Sequence, residues 1–250
     1  MPSSEEDQSE VPFPAPDPRE RTRIEWDFQT PISPPEHATE ILLIRHGSTG
    51  ERDKPQAPSG TVAEAMLNEL GRHQAQEVAS ALGEARIDGI FATPFQRTSD
   101  SAAPIAEMLG IEIELVPELR EIHLGDWAGG EFGRRLKSRD PLIGEMFHRQ
   151  RWDVLPGAEK AADFAARVSA GLDHVVEATG PGKRAAVFTH GGVIAEACRQ
   201  ATGSEPFSFL LAENCSFTSL FLAEGKKPLL HRFNVTSHLS VESSQTLQPE

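Results

Sequence analysis

The chain is 250 residues long, 38% apolar and 25% charged, with 38 acidic side chains against 24 Lys and Arg and a formal net charge of −14 at pH 7. That length suits one full-sized domain with a sizeable core and a tail or subdomain, and no apolar run approaches the roughly 20 residues that cross a bilayer, so no membrane partner is expected. The acidic balance argues against non-specific nucleic-acid binding, which draws on clustered Lys and Arg, and two cysteines, Cys198 and Cys215, are too few for a disulfide framework.

Residues 1–39 read as an acidic, Pro-rich tail. The first 40 residues carry 8 of the 19 prolines and ten acidic residues against three arginines, too little apolar surface to order alone. Within it, Ile24, Trp26, Phe28 and Ile32 alternate as side chains would that lie against a folded domain. The opening "MPSSEEDQSE" is polar where a secretory signal is basic and then apolar, which predicts a cytoplasmic protein.

From residue 40 strands and helices alternate. "ILLI" (41–44) is a continuous apolar run of the kind buried on both faces. Ala75, Val78, Ala79 and Leu82 form a helical stripe ending at Gly83. "IDGIFATP" (87–94) predicts a strand, and Ala102, Ile105, Ala106 and Leu109 a second helix, interrupted at Pro104 and closed by Gly110. "IEIELVPEL" (111–119) alternates with period two. "AADFAARVSAGLDHVVEA" (161–178) predicts a long amphipathic helix, "AAVFTHGG" (185–192) a buried strand, and "GVIAEACRQATG" a helix stopped at Gly203. "SFTSLFLA" and "LLHRFNV" close a domain over residues 40–240, with a polar tail at 241–250. Such alternation indicates an α/β fold with a mostly parallel sheet covered on both faces. Residues 126–156 break the rhythm with no clean period and predict an insertion that covers a site.

In open α/β sheets ligands bind beyond the carboxyl ends of the strands, where helix N-termini offer free N–H groups. Arg45, His46 and Gly47 stand at such an end, as do His190 and Gly191. Arg97 lies in the first turn of a helix that follows a strand, and Glu121 follows another strand by a short loop. Each alone has an ordinary structural reading; together they suit phosphoryl chemistry. Two arginines match phosphate oxygens bidentately, and a neutral imidazole is a nucleophile. A second imidazole, protonated, would neutralise the equatorial oxygens, and a carboxylic acid would protonate the leaving alkoxide. No metal or other cofactor is required.

The segments that carry these residues resemble the histidine phosphatase superfamily, the group of the cofactor-dependent phosphoglycerate mutases and many phosphatases. "LLIRHGST", "LNELGRHQA", "FATPFQRTSDSA", "LREIHLGDWAG" and "VFTHGGVI" are similar to that family's motifs and fall in its order. The resemblance implies a three-layer α/β/α, phosphoglycerate mutase-like fold. It also implies that His46 is the nucleophile, that Arg45, Arg97 and His190 bind the phosphoryl group with Gly47 and Gly191 beside it, and that Glu121 is the proton donor and later the base for water. Many members have an acidic residue after Arg-His-Gly and an Asn four further on. Ser48 and Arg52 occupy those positions here, so Arg52 is the candidate substrate contact in place of the Asn.

The segment "STGERDKPQAPSG" lacks the tryptophan pairs of the mutases. The expected activity is therefore hydrolysis of a small phosphorylated metabolite, with phosphoglycerate mutase and a non-catalytic phosphate-binding regulator as alternatives. Arg134, Arg135, Lys137, Arg139, Arg149 and Arg151 in the insertion are candidates for a second anionic group on the substrate, against a solvated surface as the plain reading. The one expectation for self-assembly is a homodimer.

Overall fold

The computed structural model describes residues 34–50, 65–223 and 225–244. The Ile24–Ile32 stretch, Arg52 and the last six residues lie outside the described residues. Strand β1 (Thr39–Arg45) shows how the core is built. Ile41 and Leu43 point into one cluster with helix α5 (Ala161–Thr179) and helix α6 (Gly191–Thr202), while Leu42 and Ile44 point into another with α1 (Glu69–Leu82) and α2 (Gln96–Leu109). The strand is apolar on both faces because both are covered; each such buried side chain contributes about 1.5–3 kcal/mol. The layers are therefore helix, sheet, helix.

Among the described residues the sheet has six strands in the order β3 (Ile113–Leu115), β2 (Gly89–Ala92), β4 (Arg184–Thr189), β1, β5 (Phe217–Leu222), β6 (Leu229–Val235). The first four run parallel, and β5 runs antiparallel to both its neighbours. This is the mostly parallel α/β sheet expected. Arg45 pairs in register with Thr189, so the two His-Gly endings emerge side by side at one rim.

Several local expectations change. Helix α2 runs unbroken through Pro104. The period-two segment yields only three residues of strand, because Pro117, with φ fixed and no N–H, opens a 3-10 turn over Pro117–Leu119. Gly83 ends α1 in right-handed backbone, not the left-handed stop that Gly110 and Gly203 adopt. Its missing side chain instead admits Met108 of α2, whose Sδ would lie 2.6 Å from a Cβ there.

The insertion is structured: helices α3 (Glu131–Lys137) and α4 (Pro141–Arg149) lie between 3-10 turns at Gly125–Trp127 and Trp152–Val154. Trp127, Ile143, Met146 and Leu155 give it a core of its own, extended by Phe132, Trp152 and Phe207. Its ends meet at a neck, where Asp126 N–H donates to the Pro156 carbonyl at 2.9 Å. Of the C-terminal segment expected as a tail from residue 241, Val241 and Glu242 are exposed, while Ser243 is fully buried and its carbonyl accepts from Gln74 Nε2 at 2.8 Å.

Candidate active site

The end of β1 is fixed by backbone bonds from the end of β4 and from the turn that precedes β5. His46 N–H donates to the Thr189 carbonyl at 2.9 Å, and Cys215 N–H donates to the Arg45 carbonyl at 2.8 Å. Asn214 Nδ2 adds a bond to the His46 carbonyl at 2.6 Å. Arg45 and His46 thus leave the sheet with little freedom. Arg45 donates to the Ala212 carbonyl at 2.7 Å. Its Nε–H is buried with no hydrogen-bond partner among the described residues. Burial pulls this guanidinium down from its usual pKa, with Glu121 and Cys215 opposing; it stays charged nonetheless.

The His46 ring is buried, and its Nδ1 lies 2.8 Å from the Gly47 carbonyl. Since a carbonyl only accepts, that contact puts the proton on Nδ1 and the lone pair of a neutral ring on Nε2. The His46 and His190 rings meet edge to face, centroids 5.3 Å apart.

His190 corrects one expectation. Arg97 NH2 donates to its Nδ1 at 3.1 Å, and its Nε2 lies 3.0 Å from Thr93 Oγ1. A guanidinium has no acceptor, so Nδ1 must carry a lone pair and the single proton must sit on Nε2. The ring is fully buried, and burial first, then Arg97, His46 and Arg45, hold its pKa well below the ordinary histidine value. His190 is therefore neutral here, not the protonated partner expected. Thr98 completes the assignment: its hydroxyl donates to the Phe95 carbonyl at 2.7 Å, leaving Thr98 Oγ1 to accept from Thr93, 2.9 Å away. Arg97 itself is buried and stacks over the Phe95 ring at 4.5 Å, while Asp100 is held by Gln96.

Gly47 is expected beside the phosphoryl group. Its N–H instead donates to Ser101 Oγ at 2.9 Å, and a Cβ there would stand 2.5 Å from the Gly71 carbonyl oxygen. The glycine serves close approach of α1 to the loop after β1. At Gly191 a Cβ would lie 3.6 Å from Arg45 Nε, so this residue does border the cationic wall. The Glu121 carboxylate rests on the first turn of α6, accepting from Gly192 N–H at 3.3 Å and from Ile122 N–H at 3.0 Å. Gly191 faces Arg45 and the adjacent Gly192 faces Glu121, which ties Glu121 to the same rim.

The structure thus brings Arg45, His46, Arg97, Glu121, His190 and Gly191 to one edge. Of the insertion's cations, Arg134 and Arg135 pair with Glu131, Arg149 with Glu145 and Arg151 with Asp153. Those pairings favour the solvated-surface reading for the four. Residues that pattern alone passed over are Thr93, Asn214, Gln74 and Arg167, each of which acts through a long-range hydrogen bond.

Known proteins resemble this chain in sequence and fold. The model of the histidine phosphatase superfamily, branch 1, matches residues 41–236. Phosphoglycerate mutase-like protein 4 of Arabidopsis thaliana is 31% identical over 204 residues, 80% of this chain and 86% of that one. A metal-independent phosphoserine phosphatase of the same plant is 28% identical over 218 residues, 86% and 90% of the two chains. Among solved structures, the native structure of a mycobacterial glucosyl-3-phosphoglycerate phosphatase superposes with a TM-score of 0.65 at 25% identity, over 80% of this chain and all of that one. A match that runs from the first strand of the sheet to the last, with relatives aligned over four-fifths of the length, decides the matter: the chain belongs to branch 1 of the histidine phosphatase superfamily.

Proposed function

We propose that this protein hydrolyses the phosphomonoester of a small metabolite through a phosphohistidine on His46. The observation that carries the reading is the His46 ring itself, with Nδ1 tied to the Gly47 carbonyl and the ring set edge-on to His190. Nε2 attacks phosphorus as the ester P–O bond breaks. Arg45, whose buried Nε–H has no acceptor among the described residues, and Arg97 bind the phosphoryl oxygens. With His190 neutral, these two guanidiniums supply the positive charge, and the reaction uses no metal. Glu121 gives its proton to the leaving oxygen, then takes one from the water that attacks the phosphohistidine, releasing inorganic phosphate.

The substrate class follows from the relatives named for phosphoserine and for glucosyl-3-phosphoglycerate, both small phosphorylated metabolites. The test is hydrolysis of p-nitrophenyl phosphate, phosphoserine and 3-phosphoglycerate by wild type and His46→Ala. Wild type should release phosphate and trap an acid-labile phosphoenzyme on quenching; His46→Ala should do neither. Activity retained in His46→Ala would overturn the nucleophile, and isomerisation of 3-phosphoglycerate without phosphate release, dependent on 2,3-bisphosphoglycerate, would move the protein to the mutases. Silence of the wild type over about pH 4 to 8 would mark a phosphate-binding regulator instead.

A further inference from the structure

Glu121 sits in a loop with no regular secondary structure, yet its backbone is tied at four successive carbonyls. Thr189 Oγ1 donates to the Leu119 carbonyl at 2.8 Å. Arg167, reaching across from α5, holds the other three: NH1 donates to the carbonyls of Glu118 and Arg120, both at 2.6 Å, and NH2 to that of Glu121 at 3.2 Å. The remaining N–H groups of Arg167 go to Glu159, at 2.6 and 2.8 Å. A guanidinium has five N–H donors, and here each has an acceptor. Glu159 is itself fastened to the strand of chain just past Glu121, accepting from His123 N–H at 3.2 Å while its own N–H donates to the His123 carbonyl at 2.8 Å.

We propose that Arg167, neutralised by Glu159, is a positioning residue that sets the Glu121 carboxylate against the rim of the site, so that its loss removes acid catalysis and spares phosphoryl binding. The inference rests on the reading of Glu121 as the proton donor. Its physics is that of preorganisation: a carboxyl a fraction of an ångström out of reach of the leaving oxygen gives up most of its catalytic effect. An unpaired guanidinium there would be costly to bury. Paired with Glu159 it leaves little net charge, and both side chains are nearly buried, 11% and 13% exposed. Lysine cannot replace it, having three donors at a single point where the loop presents three separated carbonyls.

The experiment uses leaving-group dependence. A p-nitrophenolate leaves without a proton, whereas the alkoxide of phosphoserine requires one, so kcat/KM for the two esters separates phosphoryl binding from acid catalysis. Glu121→Gln and Arg167→Met should both lose about tenfold to a hundredfold on phosphoserine and less than about threefold on p-nitrophenyl phosphate. Combined in one chain, they should lose no more than Glu121→Gln alone. Equal losses on both esters in Arg167→Met, with Glu121→Gln selective, would reduce Arg167 to a structural role. Equal losses in Glu121→Gln itself would overturn the reading of Glu121 as the acid and the proposal with it. If Arg167→Met does not fold, Arg167→Lys decides by the same ratio: a selective loss supports the positioning role, an equal loss overturns it.

Discussion

At the scale of single residues, His190 is where protonation and stability meet. The folded protein keeps this imidazole neutral, by burial and by the Arg97 donor on Nδ1. An unfolded histidine titrates near 6.5. As pH falls below that value the unfolded chain takes up a proton that native His190 refuses, so stability is lost on acidification; above it the neutral ring costs nothing. His238, also held below its ordinary value by burial, adds in the same direction. Thermal unfolding should therefore show a melting temperature that falls between pH 7 and pH 5, and His190→Gln should flatten that slope. Thr93→Val removes the acceptor of the His190 Nε2–H, and an orphaned buried donor costs about 1–3 kcal/mol, read as a lower melting temperature at pH 7. The two histidines, Arg45, Arg97 and Glu121 are legible in sequence because each ends a strand or follows one by a short step. The tautomer of His190 is not, since it depends on a guanidinium 93 positions away in the chain.

Among elements, the contact between the first turn of α6 and the Glu121 loop carries the clearest test. A Cβ at Gly192 would overlap Glu121 Oε1. Gly192→Ala should displace that carboxylate and lower kcat/KM for phosphoserine by about tenfold or more, with a smaller effect on p-nitrophenyl phosphate. If both esters respond alike, the contact serves packing alone. The insertion shows why elements differ in legibility. Its limits at 126–156 coincide with the neck, where a Cβ at Gly125 would overlap the backbone of Pro156 and Gly157. Its helices carry little signal in the sequence because they are short, with buried side chains only in α4, and lack the long stripe of α5. One signal was nonetheless present: Asp140–Pro141 is an N-cap followed by proline at the first helical position, and Asp140 Oδ1 accepts from Leu142 N–H at 3.0 Å. Arg167 offered no signal at all. On the helix it resembles any solvated arginine, and its three carbonyl partners lie 46 to 49 residues away.

For the whole molecule, the C-terminal segment ties back to the site by two routes. Gln74, fully buried, accepts from Ser48 N–H through Oε1 at 2.9 Å and donates through Nε2 to the Ser243 carbonyl at 2.8 Å, so the loop after His46 is bridged to the chain end. His238 stacks on Phe217 with centroids 3.8 Å apart and contacts the Cys215 carbonyl through Nε2 at 3.0 Å; Cys215 N–H in turn holds the Arg45 carbonyl. Removing the chain from Thr236 onward breaks both routes, together with the bond from Ser240 N–H to Glu77. The stack alone is worth about 0.5–1.5 kcal/mol, and an orphaned Gln74 donor about 1–3 kcal/mol. For a domain of this size each kilocalorie lowers the melting temperature by about 2–4 °C. The expected outcome is a folded protein that melts several degrees lower. Because the support lost is that of Arg45 and His46 rather than Glu121, kcat/KM should fall by a similar factor on phosphoserine and p-nitrophenyl phosphate. That pattern is opposite to the one expected of Arg167 and Gly192 variants. A truncated chain with unchanged melting temperature and activity would show that β1 and its neighbours hold the two residues unaided.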